Sequence, residues 1–427
     1  MTRVYTLLLY LLLPVALLRL LWRSRRAPGY RERWRERLGL YGGRPLAAAV
    51  WVHAVSVGEV QAAAPLIRRL QERYGRGVVV TTTTPTGAQR LRELFDDRVR
   101  QVYTPYDLPP AMGRFLDAVR PDLVVVMETE IWPNMLRACE ARGVRVVLAN
   151  ARLSARSAQG YARLGTLTRE TLGRFAAIAA QGSADAARFR ALGAPIERVA
   201  VTGSLKFDLH LPASLVERAE VMRRAWGTER PVWVAASTHE GEEEQVLAAH
   251  RELRSHRPDA LLVLVPRHPE RFDRVAALVA RQGLALVRRS TQAPCTAEAA
   301  VYLGDTMGEL PVLIAAADAA FIGGSLVPAG GHNLLEAAAA GVPVAIGPQV
   351  FNFAEITALL VAERAAVQVA DSAELARVMA DWLGDAALRA RIGENGRRVV
   401  EQNRGALDRL LTLIERVAPG PERGRGA

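Results

Sequence analysis

Residues 123–134 read LVVVMETEIWPN. Five apolar residues without polar alternation suit a parallel strand buried on both faces. The run ends in two carboxylates, Glu128 and Glu130. Burying an unpaired carboxylate is expensive, so both are expected just past the strand, where open α/β sheets bind ligands. A solvated loop, ion-paired to Arg137 or Arg152, is the structural alternative. The same unit recurs on either side. In the first half the strand candidates are Val50–Val55, Val78–Thr82, Val144–Ala149 and Ile178–Ala180. In the second they are Val232–Ala236, Leu261–Val265, Val301–Leu303, Ala319–Ile322, Val342–Ile346 and Val367–Val369. Amphipathic segments intervene throughout. Two successive arrays of this kind predict an α/β chain with two facing Rossmann-like, doubly wound domains, at residues 46–210 and 211–417. The break is expected in Leu209–Ser214, where prolines and short polar residues interrupt both periodicities.

Composition agrees with two such cores. The chain has 427 residues, half of them hydrophobic and 23% charged, which excludes a single small module and wholesale disorder. Its two cysteines, Cys139 and Cys295, lie in no CxxC or Cys/His cluster, so reduced thiols are expected and a structural zinc site is not. The formal charge of +12 makes nucleic acid, anionic lipid and phosphorylated substrates the partners to weigh. Lys206 is the single lysine, so 55 of the 56 basic residues are arginine.

Residues 1–45 form a separate segment. Val4–Trp22 reads VYTLLLYLLLPVALLRLLW, about 28 Å as a helix at ~1.5 Å per residue. It either crosses a bilayer as a short anchor or sits obliquely in one leaflet. Seven arginines between Arg23 and Arg37 follow; by the positive-inside rule they keep what comes next in the cytoplasm, and they attract anionic headgroups. The tail 418–427, APGPERGRGA, has nothing to bury and is expected to be disordered.

The chemistry-bearing residues sit after strands. His53–Glu59 reads HAVSVGE; Glu59 falls in a first helical turn, as a cap or as a catalytic base. Gly203–Asp208 reads GSLKFD, and Lys206 there could reach a phosphate or carboxylate as a point charge. The turn Ser237–Glu242 could offer backbone N–H groups to an anion. Arg267 and His268 end the strand LLVLV, as phosphate or nucleobase contacts or as a structural turn. Gly323–Ala337 reads GGSLVPAGGHNLLEA. Two glycine pairs bracket a strand-to-helix loop whose amides, those of Ser325 and Gly331 among them, are expected to close on a phosphate. His332 and Glu336, one turn apart, are expected to face the same ligand. Gly304–Leu310, GDTMGEL, borders that pocket. Neither GxGxxG nor the Walker pattern is present, and no Asp-x-Asp pair stands in a second-half loop to bridge a diphosphate through metal.

Taken in order, the basic N-terminal anchor, HAVSVGE, ETEIWPN, GSLKFD, PRHPERF, GDTMGEL and GGSLVPAGGHNLLEAAA resemble the 3-deoxy-D-manno-octulosonic acid (Kdo) transferases, membrane-associated GT-B glycosyltransferases of lipopolysaccharide assembly. The resemblance implies an inverting, metal-independent transfer of Kdo from CMP-Kdo to the glucosamine disaccharide of a lipid A precursor (lipid IVA), with no cofactor. It implies Glu59 as general base, and Glu130 and Lys206 as transition-state stabilisers. It also implies CMP contacts from Arg267-His268, Met307-Gly308-Glu309 and Asn333-Leu334-Leu335-Glu336. The partners expected are CMP-Kdo, the lipid A precursor and anionic lipids of the inner membrane, with the catalytic domains on its cytoplasmic face. Ala337 departs from the proline common in that family. The alternatives are another GT-B enzyme using a UDP-sugar, and a membrane-tethered nucleotide-binding module without catalysis. Recruitment of nucleic acid is not expected, because positive charge gathers near the anchor and aromatic residues make up only 6%.

Overall fold

The computed structural model describes residues 2–25, 27–42, 46–75, 77–209, 211 and 213–418. From residue 419 on, the tail expected to be disordered lies outside the described residues, as do residues 210 and 212 of the expected break. The chain forms two compact units: Met1–Asp208 with Arg404–Ala427, and Leu209–Asn403.

The first unit is built on seven strands, β1 (Val50–His53), β2 (Val78–Thr82), β3 (Arg100–Tyr103), β4 (Leu123–Met127), β5 (Arg145–Ala151), β6 (Ala177–Ala180) and β7 (Val199–Val201). They pair in parallel in the order β3-β2-β1-β4-β5-β6-β7. Every residue of β1, β2, β4 and β6 is buried, which is why these strands read as unbroken apolar runs. The order reverses between β1 and β4, with Val50–His53 in register with Leu123–Val126. The loops beyond that switch point are HAVSVGE and ETEIWPN, so the sheet topology sets these two segments side by side.

One domain boundary is corrected. The helix Ala406–Val417, expected in the second domain, packs on the first unit: Ala406, Leu410 and Ile414 lie in one core with Val60, Ile67 and Leu205. Its apolar stripe at i, i+4, i+8 needs a partner face. Asp208 holds its start by accepting the amides of Gly405 and Leu407, both at 2.6 Å.

The second unit carries β8 (Val232–Thr238), β9 (Leu261–Pro266), β10 (Leu286–Arg288), β11 (Val301–Leu303), β12 (Ala319–Ile322), β13 (Val344–Ile346) and β14 (Ala366–Gln368). The order is β10-β11-β9-β8-β12-β13-β14, again all parallel. Trp233, Leu262, Leu264 and Phe321 anchor its core, and its switch point lies between β8 and β12. Ahead of both units, the helix Thr2–Ser24 is long and apolar enough to cross a membrane, with a mean hydropathy of 2.2 over its best window. Leu7, Leu11, Val15 and Leu18 on it are exposed.

Candidate active site

In the first unit Ser56 and Glu59 form a capping box at the start of the helix Val57–Tyr74. The Ser56 hydroxyl accepts the Glu59 amide (3.3 Å), while the Glu59 carboxylate accepts the Ser56 hydroxyl (3.0 Å) and the Val55 amide (2.9 Å). The cap fixes the carboxylate at the end of β1 without consuming it, because each oxygen keeps a lone pair. Burial pushes the Glu59 carboxyl up to about 8; the Val55 and Ser56 bonds oppose the shift, and the charges of Glu128 and Glu130 add to it.

Across the switch point, Glu128 has a left-handed backbone, φ +55°, uncommon for a residue with a side chain. Its amide bonds the Ala149 carbonyl at 2.9 Å, and its carboxylate stands 3.8 Å from Arg152, one of the two ion pairs weighed from the sequence. Glu130 is half-buried, and burial raises its carboxyl while the Trp132 indole N–H, donating at 2.8 Å, opposes the shift. The Trp132 ring lies 5.0 Å from the His53 ring in an edge-on contact. His53 is fully buried beside Thr81, its basicity pulled down to about 3 by burial, so it stays neutral.

Lys206 sits in the short turn Leu205–Phe207 beyond β7, the edge strand. That turn does not stay at the edge. The Leu205 amide donates to Asn150 Oδ1 at 3.1 Å, Asn150 itself being left-handed (φ +51°) near the end of β5. Leu205 packs into the core shared with Val60, Ala63 and Ala64 of the Glu59 helix. Glu59, Glu130 and the Lys206 turn therefore belong to one end of one sheet.

In the second unit the expected amide cradle is present, but its occupant is a residue of this chain. Glu242 is fully buried and accepts four backbone N–H groups: His239 (3.1 Å), Gly324 (2.6 Å), Ser325 (2.9 Å) and Leu326 (2.9 Å). Burial raises its carboxyl and the four amides oppose the rise. Gly323 has to be glycine, since a Cβ there would lie 2.7 Å from the Ser237 carbonyl and 2.8 Å from the Glu242 carboxylate. Ser325, expected to meet a phosphate, is buried, donates to the Ile322 carbonyl (2.6 Å) and accepts the Gly347 amide (2.8 Å). It shapes the loop, and the cradle amides are already satisfied. Gly331 is buried with its amide on the Gly324 carbonyl at 2.8 Å.

The polar groups left around the loop are largely imidazoles and arginine. His239 and His332 meet Nε2 to Nε2 at 2.8 Å, rings stacked at 5.0 Å, and the His268 ring stands edge-on to His239 at 5.4 Å. Burial, then His239, Arg267 and His268, pulls His332 down to about 4; burial first, then His268, also lowers His239. Both are neutral near pH 7, one donating to the other. Arg267 and His268 are exposed at the end of β9. Glu336 is half-buried; burial raises its carboxyl, and its partner is the Asn333 carboxamide at 3.3 Å. The helix starts at Leu335, so His332 precedes it, and the side chains of Leu334 and Leu335 are buried. Neither residue is exposed, backbone included, and the Leu335 amide donates to Asn333 Oδ1 at 3.1 Å. Met307 is exposed, Gly308 has φ +80°, and Glu309 is held by Arg289 through two bonds of 2.9 Å and by Thr306.

The sequence placed Glu242 in a turn expected to offer amides to an anion, whereas Glu242 is itself the anion that the amides hold. Sequence reading assigned no role to Trp132 or Asn150, whose partners are remote or depend on backbone conformation.

Two parallel Rossmann-like sheets with polar loops at each switch point define the GT-B class of nucleotide-sugar enzymes. The fold is shared, at 16% identity and a TM-score of 0.56, with the UDP-GlcNAc 2-epimerase of Neisseria meningitidis, over 85% of this chain and 99% of that one. A second UDP-N-acetylglucosamine 2-epimerase matches with a TM-score of 0.55 at 15% identity, over 89% and 100%. Within the class, residues 32–209 match the family described as 3-deoxy-D-manno-octulosonic-acid transferase, and residues 230–399 match glycosyl transferases group 1. The 3-deoxy-D-manno-octulosonic acid transferases of Haemophilus influenzae and Bordetella pertussis are each 42% identical, over 96% of this chain and 97% and 98% of their own lengths. The chain belongs to the Kdo transferase family and is a glycosyltransferase.

Proposed function

We propose that the chain moves Kdo from CMP-Kdo to a hydroxyl of the glucosamine disaccharide of a lipid A precursor, at the cytoplasmic face of the inner membrane, releasing CMP. The observation that carries this reading is the Glu59 carboxyl, fixed by its capping box at the switch point and raised to about 8 beside Glu128 and Glu130. A carboxyl poised near working pH is suited to general base catalysis. As the acceptor oxygen bonds to the anomeric carbon, its proton passes to Glu59. The bond from that carbon to the phosphate oxygen breaks on the opposite face, and its electron pair leaves with CMP, so configuration inverts. Glu130 faces the positive charge that develops on the sugar, and Lys206 the negative charge.

In the second unit, Arg267, His268 and His332 are suited to the phosphate of CMP. Glu336 with Asn333 suits its ribose hydroxyls, and Met307-Gly308-Glu309 borders the nucleotide. Ser325 and Gly331 support the loop. The apolar helix Thr2–Ser24 and the arginines after it hold the enzyme to anionic lipid, where the acceptor resides.

The test is mass spectrometry of products formed from CMP-Kdo and a tetraacylated lipid A precursor. Acceptor heavier by one or more Kdo units, with CMP released, supports the proposal. Turnover of a UDP-sugar with CMP-Kdo left intact would replace it with the UDP-sugar reading.

A further inference from the structure

The helix Pro133–Glu140 begins at the end of ETEIWPN, and its N-cap residue, Trp132, has no side-chain oxygen to accept the first amides. Asp107, 26 residues earlier in sequence, supplies that function. Its carboxylate accepts the amides of Asn134 (3.0 Å) and Met135 (2.7 Å), and its carbonyl accepts the Asn134 side-chain amide (2.7 Å). Asp107 and Asn134 are both buried. The same two residues hold the N-terminal helix. The Tyr5 hydroxyl donates to the Asp107 carboxylate at 2.9 Å, and the Thr6 hydroxyl to Asn134 Oδ1 at 2.9 Å. At its other end Arg31 donates to the buried Ser24 hydroxyl at 2.7 Å, and the segment that follows is tied to the sheet by Arg37, which donates to the Thr83 carbonyl at 2.8 Å.

We propose that Asp107 is a positioning residue that latches the N-terminal helix to the ETEIWPN segment, so that the seating of Thr2–Ser24 on the first unit sets the geometry of Glu130. The inference rests on the role given to Glu130 above. Asn134, Trp132 and Glu130 alternate along one short segment. Asn134 is fixed by Asp107, Trp132 is packed on His53, and the Trp132 indole holds Glu130. Displacement of Asp107 therefore reaches Glu130 through the five-residue run Glu130–Asn134, held at Asn134, Trp132 and Glu130. A helix whose first turn bonds this loop also has both ends on the same unit, so in the latched state it does not carry Tyr5 across a bilayer. The latch thus favours the oblique over the spanning arrangement. Its exposed leucines remain available to the lipid while its hydroxyls hold the loop.

The experiment uses full-length protein with Tyr5→Phe and Thr6→Val combined, which removes both bonds from the helix side and leaves every residue of the loop in place. With CMP-Kdo and the lipid A precursor, kcat is expected to fall about tenfold or more, the scale of a small misplacement of a catalytic group. CMP affinity should change less than about twofold, because the nucleotide-facing residues lie in the other unit, and sedimentation with membranes should not change. Amide hydrogen exchange across 134–136 should quicken. A second variant, Asp107→Asn, which puts an N–H donor where an acceptor is required, should lower kcat further with the same CMP affinity. Unchanged kcat in the double variant of an active enzyme would overturn the latch, and so would unchanged exchange at 134–136. A wild type inert toward CMP-Kdo would instead overturn the functional reading, and with it the group said to be positioned.

Discussion

Replacing Glu59 by glutamine separates its two roles. The carboxamide keeps an acceptor oxygen for the Val55 amide, and its NH2 group can donate to the Ser56 hydroxyl, so the cap of Val57–Tyr74 is largely retained. What is lost is the ability to take a proton. Turnover should fall roughly 100-fold or more, the usual scale for a missing general base, with CMP affinity unchanged. The raised carboxyl adds a stability signature. The group shifts from its ordinary 4.5 to about 8, so between these values the folded state holds a proton that the unfolded chain has released. Wild-type stability must then decline by about 1.4 kcal/mol for each pH unit crossed, being fully present below about 4.5 and lost by about 8. Glutamine cannot ionise and lacks this slope. Urea unfolding at pH 5 and pH 8.5 should therefore show the variant gaining on the wild type at the higher pH, while the kcat/KM of the wild type climbs along an acidic limb centred near 8. Near-normal turnover in the variant would return Glu59 to a capping role alone. A stability gap independent of pH would show that the carboxyl is not raised.

Lys206→Arg should be nearly as damaging as Lys206→Ala, each losing about 2–4 kcal/mol of transition-state stabilisation in kcat/KM; an arginine variant with most of the wild-type activity would leave Lys206 as one more positive charge. Glu242→Gln places an NH2 donor against a site made of four N–H groups, so it should cost about 1–3 kcal/mol in urea unfolding and weaken CMP binding through a disordered loop; unchanged stability and CMP affinity together would refute the account of the cradle. Transfer should persist in EDTA, since the departing group is a monophosphate and no Asp-x-Asp pair stands in a second-half loop; loss of activity on chelation with recovery in magnesium would contradict this.

How much of the fold could be read in the chain follows from where each strand lies in its sheet. Interior strands such as β1, β4, β8 and β12 are buried nearly throughout, so their sequences are apolar runs that need no knowledge of partners. The strands absent from the reading, β3, β7 and β10, all lie at sheet edges. Arg100, Gln101 and Val201 are partly or fully exposed there, and no residue of β10 is buried. Such short, half-wet strands gain their identity from pairing, a non-local property. The helix Ala406–Val417 was assigned by its place in the chain to the second domain, because an apolar stripe names a face to be covered without naming the cover.

The candidate site divides along the same line. Glu59, Glu130 and Lys206 could be picked out because parallel sheets put functional side chains after strands, a rule that needs only strand positions. Asp107 and Asn150 hold the Glu130 and Lys206 segments, and Glu242 the glycine-rich loop, through backbone amides distant in sequence, and a backbone amide leaves no trace in the choice of residue that donates it. The glycine-rich loop shows the consequence most clearly. Its glycines correctly indicate amides converging on an anion, but the pattern is silent about which anion, and the carboxylate of Glu242 satisfies it as well as a phosphate would. With that carboxylate inside, the loop is a rigid platform formed before any nucleotide arrives. In the proposed donor site, charge recognition would then fall to groups beside the loop, Arg267, His268 and the His239–His332 pair.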